Sequence, residues 1–360
     1  MYDPTSPADM YNSTHLVIMA GGEGTRFWPV STTEQPKQFL DVLGCGKTLL
    51  QLTYERFCGM VNPANVWVAT SEKYLHLVTE QLPDVPRKNI LLEPCRRNTA
   101  PCICYVSWKI KKRNPRANVV ITPSDHIITD VKGFQDAVRD SMEFSAETDA
   151  IVTLGIKPTH AETAYGYIKA DLSFSSSRKK NIFRVDAFKE KPNRNVAEEY
   201  IKQTNYLWNS GIFIWNVSTI VNAFRVYHPE TSRIFEDIFS YYDLPEEQDM
   251  INQVFPKCEN ISVDYAIMEK AEEIFVYPAD FGWSDLGTWG SLRRHSDKDN
   301  YGNVRIGDNI DLYESHNTIV HSTHLKKVVV QGLDDYVVAE KDGVLLICKL
   351  TEEERIRLFH

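Results

Sequence analysis

Between Leu16 and Leu154 short apolar runs alternate with helix-like stretches. That alternation confines the first half of the chain to βαβ units around a mostly parallel sheet, a Rossmann-like α/β class with helices on its flanks. Residues 16–19, 66–69, 90–92, 119–122 and 151–154 predict strands, and 49–57, 72–81, 99–112 and 134–144 predict helices. Sites in such folds lie beyond the carboxyl ends of the strands, and each polar cluster singled out below follows an apolar run. The second half is mixed: 182–188 and 212–215 read as strands, 262–270 as a helix and 173–180 as an exposed loop. After Asn300 the texture changes to short β-rich runs at 318–321, 327–330, 336–338 and 344–348, split by turns at 332–335 and 341–343. This tail is read as a coil of stacked short strands, left-handed β-helix-like. The expected organisation is an N-terminal tail (1–14), a catalytic domain (15–298) and a small β-rich C-terminal domain (299–360).

The bulk properties exclude several classes. The 360 residues are 42% hydrophobic and carry a net charge of −9, which argues against broad nucleic-acid binding. No apolar run approaches the ~20 residues of a membrane span. Residues 1–14 are polar and carry Asp3 and Asp9, without the basic start and apolar stretch of a secretory signal. A cytoplasmic protein is expected. The cysteines number seven, which fits reduced thiols. Cys102 and Cys104 stand two apart on a predicted helix, point to different sides and make a poor metal clamp, so buried thiols are expected.

The loop Ala20-Gly21-Gly22-Glu23-Gly24-Thr25-Arg26 follows the first strand. Glycines there let backbone N–H groups approach phosphate oxygens, and Arg26 adds a positive fork. A dinucleotide fingerprint starting at Gly22 would put Phe27 where the third small residue belongs, so a dehydrogenase is disfavoured. Gly44-Cys45-Gly46-Lys47-Thr48 resembles the end of a P-loop, but that motif's first glycine would fall at Asp41, and the segment reads as a turn before a helix. Lys37, in Pro36-Lys37-Gln38-Phe39, is close enough in sequence to reach the same triphosphate. Asp125 follows a strand in Pro123-Ser124-Asp125-His126, and Asp285 sits in Gly282-Trp283-Ser284-Asp285. Carboxylates facing phosphates suit Mg²⁺, which takes few protein carboxylates and keeps water and phosphate oxygens. Adjacent Ser124, Asp125 and His126 are not a hydrolase triad, which is assembled from separate segments.

Residues 21–29 with 36–39 strongly resemble the signature of the sugar-nucleotide pyrophosphorylases, and more narrowly of the bacterial mannose-1-phosphate guanylyltransferases. The resemblance continues in order through Glu93-Pro94, Arg97-Asn98-Thr99-Ala100-Pro101 and Pro123-Ser124-Asp125-His126. It runs on through Tyr165-Gly166-Tyr167-Ile168, Glu190-Lys191-Pro192, Trp208-Asn209-Ser210-Gly211, Asp264-Tyr265-Ala266 and Gly282-Trp283-Ser284-Asp285. Ala164 stands where relatives commonly have glycine, and Phe27 where leucine is usual; both bear on the shape of the sugar or nucleotide pocket. Many relatives carry a C-terminal isomerase domain for which these 360 residues leave no room, so a bifunctional role is not expected.

The resemblance implies in-line attack by an oxygen of a sugar 1-phosphate on the α-phosphorus of a nucleoside triphosphate, with pyrophosphate leaving. The substrates would be GTP and mannose 1-phosphate, and Mg²⁺ the cofactor. Gly21, Gly22, Gly24, Thr25, Arg26, Lys37, Asn98, Thr99 and Ser124 would serve the nucleotide, and Asp125 and Asp285 the metal. Lys191 would meet the sugar phosphate, while Gly166, Glu190 and Asn209 hold sugar hydroxyls. Pro192 is expected to bias Lys191 toward an extended conformation. Glu93 is assigned to guanine, accepting from its ring N–H and exocyclic amine. A homodimer formed through the tail is expected. Two alternatives stay open: the same fold with another base or hexose, and a non-catalytic sugar-nucleotide sensor.

Overall fold

In the computed structural model, residues 6–175 and 181–359 are described. The chain divides into two compact units. The larger comprises Met1–Gly21, Tyr54–Pro123 and Ile128–Trp283, and the smaller Gly22–Thr53, Ser124–Ile127 and Ser284–His360.

The larger unit is built on a nine-stranded sheet. Its strands are β1 (Thr14–Met19), β2 (Val66–Ser71), β3 (Ile90–Glu93), β4 (Asn118–Pro123), β6 (Ile151–Ile156), β7 (Tyr167–Ser175), β8 (Phe183–Lys189), β9 (Tyr206–Asn216) and β10 (Ile274–Ala279). The two-residue β5 (Ile127–Ile128) and β11 (Trp283–Ser284) lie outside it. The order is β3-β2-β1-β4-β9-β6-β10-β8-β7. The first four strands are parallel, as the alternating pattern predicts. β9 then runs antiparallel to β4, β6 and β7, so the sheet is mixed beyond its first half. Helices α4 (Thr99–Arg113), α7 (Val217–Tyr227), α8 (Pro229–Asp237) and α9 (Glu247–Val254) supply much of the main core. The remaining helices of this unit are α1 (Pro7–Ser13), α3 (Leu75–Gln81), α5 (Val131–Ala146) and α6 (Arg194–Tyr200).

Several expectations change. Residues 6–14 are not a loose tail: Ser6 caps α1, Met10 is buried, and the helix leads directly into β1. The first five residues of the expected tail lie outside the described residues. Of the loop expected at 173–180, residues 173–175 continue β7 and 176–180 lie outside the described residues. The helix expected at 262–270 is a single π-helical turn, Asp264–Met268, in which the Glu269 N–H donates to the Asp264 carbonyl. Such turns recur at functional positions.

The smaller unit gathers the glycine loop, the Lys37 segment and the β-rich tail around one core. Phe27, Val30, Leu40 and Leu49 pack with Trp289, Val304, Ile306, Ile319, Val337 and Ile356. The expected domain boundary after residue 298 therefore does not delimit a separate core. α2 (Leu49–Glu55) begins here, after a turn in which Asp41 accepts from the Cys45 and Gly46 N–H groups. That is the P-loop lookalike, resolved as a turn. α10 (Trp289–His295) follows Asp285.

Within the tail, β12 (Val304–Ile306), β14 (Ile319–Ser322) and β16 (Tyr336–Lys341) stack in parallel. β13 (Ile310–Tyr313) and β15 (Val328–Gln331) form a second parallel pair, so the stacked short strands are present. An Asp342-Gly343 turn, both residues at positive φ, returns the chain as antiparallel β17 (Val344–Lys349). Asp-Gly with φ > 0 at both positions suits a two-residue hairpin.

In each unit burial holds a histidine, His15 or His321, in neutral form. His15 accepts from Trp67 Nε1 at 2.9 Å, and burial, reinforced by Arg113, lowers its pKa to about 4. His321 packs edge-on against Trp289 with neither ring nitrogen hydrogen-bonded, and burial is the main cause that lowers it to about 4. Both folded-state values lie below the unfolded value near 6.5, so the unfolded chain binds the extra protons. The stability these histidines support is complete above pH ~6.5 and is lost as pH falls toward ~4. Thermal melting between pH 8 and pH 4.5 should show that loss, with a shallower slope in His321→Leu than in the parent.

Candidate active site

In the smaller unit, Gly24 adopts φ +60° and begins the 3₁₀ turn Thr25–Phe27. A Cβ there would lie 2.9 Å from both Lys37 Cγ and Ser31 Oγ, so glycine is needed for the backbone angle and for close packing on Lys37. Gln38 fastens the loop by donating Nε2 to the Gly22 carbonyl at 2.8 Å.

Lys37 is 7% exposed. Its ammonium donates to the Asp285 carbonyl at 2.9 Å and the Leu286 carbonyl at 2.7 Å, and pairs with Asp125 Oδ2 at 3.1 Å. An ammonium has three protons, and here each has a protein oxygen within reach. Lys37 therefore binds the Asp125 segment to the Asp285 loop, where the sequence reading had it extended to a triphosphate. Burial opposes ionisation of Asp125, but Lys37 and then His126 outweigh it and hold the carboxyl below its usual range. Asp125 is thus an anion at neutral pH. Ser124 is buried, and its carbonyl accepts from Thr53 Oγ1 at 3.2 Å.

Asp285 Oδ1 accepts from the Gly287 N–H at 3.0 Å. A Cβ on Gly287 would sit 2.8 Å from Asp285 Oδ2 and 3.3 Å from Arg26 Nη1, so carboxylate and guanidinium face the same glycine. The turn depends on buried Leu286 at φ +47°. Lys37 ties the Asp125 carboxylate to the backbone of Asp285, and the two aspartates offer hard oxygen donors. That chemistry fits Mg²⁺, which completes its shell with water and phosphate oxygens.

In the larger unit, the end of β8 brings Glu190 against Gly166 and Asn209. A Cβ on Gly166 would collide with Glu190 Oε2 and come within 3.3 Å of Asn209 Cβ. Asn209 lies where β9 shifts register against β6, with Gly211 at φ +70°. Bulges of this kind re-aim side chains. Asn209 Nδ2 donates to Asp264 Oδ1 at 2.9 Å, and its Oδ1 accepts from Thr153 Oγ1 at 3.2 Å and the Gly211 N–H at 3.1 Å.

Lys191 Nζ donates to Glu190 Oε1 at 2.6 Å; the lysine side chain is 58% exposed and the glutamate 6%. Lys191 takes φ +45°, not the extended conformation expected before Pro192. The turn folds the ammonium back onto Glu190, and that pair offsets the bias from proline. Burial, with the Glu190 carboxylate beside it, pushes the Asp264 carboxyl up to about 6. The cluster therefore holds one firm cation, Lys191, and one carboxyl, that of Asp264, that resists ionisation.

Glu93 ends β3. Burial pushes its carboxyl up to about 7, against the opposing influence of a Cys102 hydrogen bond and of Arg96. Asn98 takes φ +63° and caps α4 by accepting from the Thr99 N–H at 2.9 Å. Thr99 Oγ1 in turn accepts from the Val263 N–H at 2.9 Å. Gly21 ends the loop's first arm against Glu93, whose Oε2 would lie 3.7 Å from an added Cβ.

The sequence profile of the nucleotidyl transferase family matches residues 15–301. The chain belongs to that family. A mannose-1-phosphate guanylyltransferase of Escherichia coli is 35% identical over 347 residues, 95% of this chain and 74% of that protein. The mannose-1-phosphate guanylyltransferase 2 of Escherichia coli O157:H7 is 37% identical over 350 residues, 95% of this chain and 71% of that protein. A Thermus thermophilus crystal structure, described as a mannose-1-phosphate geranyltransferase, superposes with TM-score 0.85 at 29% identity, over 96% of this chain and 98% of that one.

The two departures from the family pattern, expected to bear on pocket shape, fall one in a core and one on the surface. Phe27 is fully buried against Trp289, a core position, and Ala164 is exposed. The seven cysteines are free, with Cys102 and Cys104 buried as expected. Asp264 carried no assigned role in the sequence reading. Its partners Asn209 and Glu190 are more than fifty residues away, and no local signal links them. Among the described residues, no helix is long and apolar enough to cross a membrane.

Proposed function

We propose that this nucleotidyl transferase condenses GTP with α-D-mannose 1-phosphate to give GDP-mannose and pyrophosphate. The observation that carries the reading is the Lys37 tie, which holds two aspartate segments together beneath a glycine loop bearing Arg26. The naming of the relatives supplies the substrate pair. Asp125 and Asp285 would hold Mg²⁺, which when bound neutralises phosphate charge. Arg26, Thr25 and the loop N–H groups of Gly21, Gly22 and Gly24 would orient the triphosphate. Asn98, Thr99 and Ser124 would serve the nucleotide.

Lys191 would pair with the sugar phosphate, and Glu190, Asn209 and the Gly166 backbone would hold sugar hydroxyls. The attacking oxygen is already anionic, so the residues named orient reactants and balance charge and need not remove a proton. Glu93 would accept from guanine. A cytoplasmic homodimer completes the reading: edge strand β17 leaves Leu345 and Ile347 more than half exposed, and open edges are commonly covered by a partner. Light scattering at micromolar concentration measures that association, and a monomer there would refute it.

The test is pyrophosphate release, crossing GTP, ATP, UTP, CTP and dTTP with several hexose 1-phosphates. GTP with mannose 1-phosphate should give the highest kcat/KM, and excess chelator should abolish turnover until Mg²⁺ is restored. Preference for another pair would refute the assignment, and chelator-resistant turnover would refute the metal role.

A further inference from the structure

Asn209 is pinned on every side but one. Its backbone N–H donates to the Gly166 carbonyl at 2.8 Å. Its Oδ1 accepts from the Gly211 N–H at 3.1 Å and lies 3.2 Å from Thr153 Oγ1, whose single proton is shared with the Ile212 carbonyl, also at 3.2 Å. Its Nδ2 donates to Asp264 Oδ1 at 2.9 Å. These contacts decide which way round the amide sits. A backbone N–H can only donate, and an ionised carboxylate can only accept. Turning the amide over would set Oδ1 against the carboxylate and Nδ2 against the Gly211 N–H. Asn209 is half-buried, and among the described residues the second Nδ2 proton is the one side-chain function left over. The side chain therefore offers a ligand a donor.

Asp264 opens the π-helical turn Asp264–Met268, and Glu269 closes it. Glu269 Oε1 accepts from the Glu190 N–H at 3.2 Å. One short turn thus grips Asn209 at its start and the Glu190 backbone at its end, and both of those side chains face Gly166.

We propose that Asp264 is a positioning residue for sugar recognition: by accepting from Asn209 it fixes the amide so that the remaining Nδ2 proton is presented to one sugar hydroxyl. The proposal rests on the reading of the chain as a mannose 1-phosphate enzyme in which Asn209 holds a sugar hydroxyl. In this role Asp264 acts through Asn209 and needs no contact with the sugar.

The experiment compares kcat/KM for mannose 1-phosphate and for its 2-, 3-, 4- and 6-deoxy analogues at saturating GTP. The parent is set beside Asn209→Ala, Asp264→Ala and Asp264→Asn. Asn209→Ala should erase the penalty for deoxygenation at one position and so identify the hydroxyl it meets. Asp264→Ala should shrink the penalty at that same position about 2- to 12-fold, the factor one neutral hydrogen bond contributes, and leave the other penalties within about twofold. Asp264→Asn, which keeps an acceptor oxygen, should hold every penalty within about twofold of the parent. Each penalty is a ratio taken on one preparation, so partial misfolding cancels. If Asp264→Ala slows all the sugars alike and leaves the penalties intact, Asp264 only supports the fold and the proposal is overturned. A penalty that shrinks at a position indifferent to Asn209→Ala overturns it equally. A parent that prefers another hexose 1-phosphate refutes the mannose reading itself, an outcome visible without any variant, and the deoxy series of that hexose then tests Asp264 in the same way.

Discussion

Replacing Lys37 by alanine should lower kcat/KM roughly 10²- to 10³-fold, with kcat falling and both KM values rising. Breaking a buried ion pair by removing one partner costs about 3–5 kcal/mol, because the remaining charge is left uncompensated. Here the loss is threefold: Asp125 loses its counter-ion, and the Asp285 and Leu286 carbonyls lose their donor. Both proposed metal ligands then relax, so nucleotide and sugar phosphate should suffer together. Added Mg²⁺ should restore part of kcat, since a second cation beside Asp125 replaces some of the missing charge. Steady-state kinetics at several Mg²⁺ concentrations decides the matter. A rise confined to the nucleotide KM would show that Lys37 is a plain triphosphate ligand, as the sequence alone suggested.

Lys191→Ala should raise the KM for the sugar 1-phosphate about 10- to 150-fold and leave the nucleotide KM within a few-fold. A charge-assisted contact to a phosphate contributes about 1.5–3 kcal/mol. Lys191 is half exposed and already aimed by its bond to Glu190, so the ammonium needs little reordering to take a phosphate oxygen. The substitution has a second consequence. Lys191 is one of the groups that lower the Asp264 carboxyl, whose pKa stands at about 6. Without it that carboxyl rises further, and the acid side of the pH–rate profile should move to higher pH. Varying each substrate in turn between pH 5.5 and 8 tests both effects. Equal damage to the two KM values would place the sugar phosphate on another residue.

How much of this was legible beforehand depends on sequence distance. Strands β1 to β4 and helix α4 were readable because apolar periodicity is local, and Gly21, Pro94, Pro123 and the capping Asn98 punctuate β1, β3, β4 and α4. Of the stacked tail strands, β14 to β17 were readable from the turns between them, whereas β12 and β13 carry too few apolar residues to stand out. β9 was foreseen only in part: its eleven residues pair with β4, β6 and β7, and nothing local announces an antiparallel strand inside a parallel pattern. The site residues themselves came from motif order. Their interactions did not, because Lys37 meets carbonyls 248 and 249 residues away and Asn209 meets Asp264. The left-handed Lys191 was mispredicted because the steric rule for a residue before proline ignores the Glu190 bond that outweighs it.

The central claim is a chemical conversion, so the most direct measurement identifies its products. The purified chain is incubated with GTP, mannose 1-phosphate and Mg²⁺, and the mixture is followed by ³¹P NMR and mass spectrometry. GDP-mannose and pyrophosphate should accumulate in equal amounts, and adding pyrophosphate to GDP-mannose should regenerate GTP. Binding of GDP-mannose without turnover in either direction, or release of inorganic phosphate in place of pyrophosphate, would contradict the account.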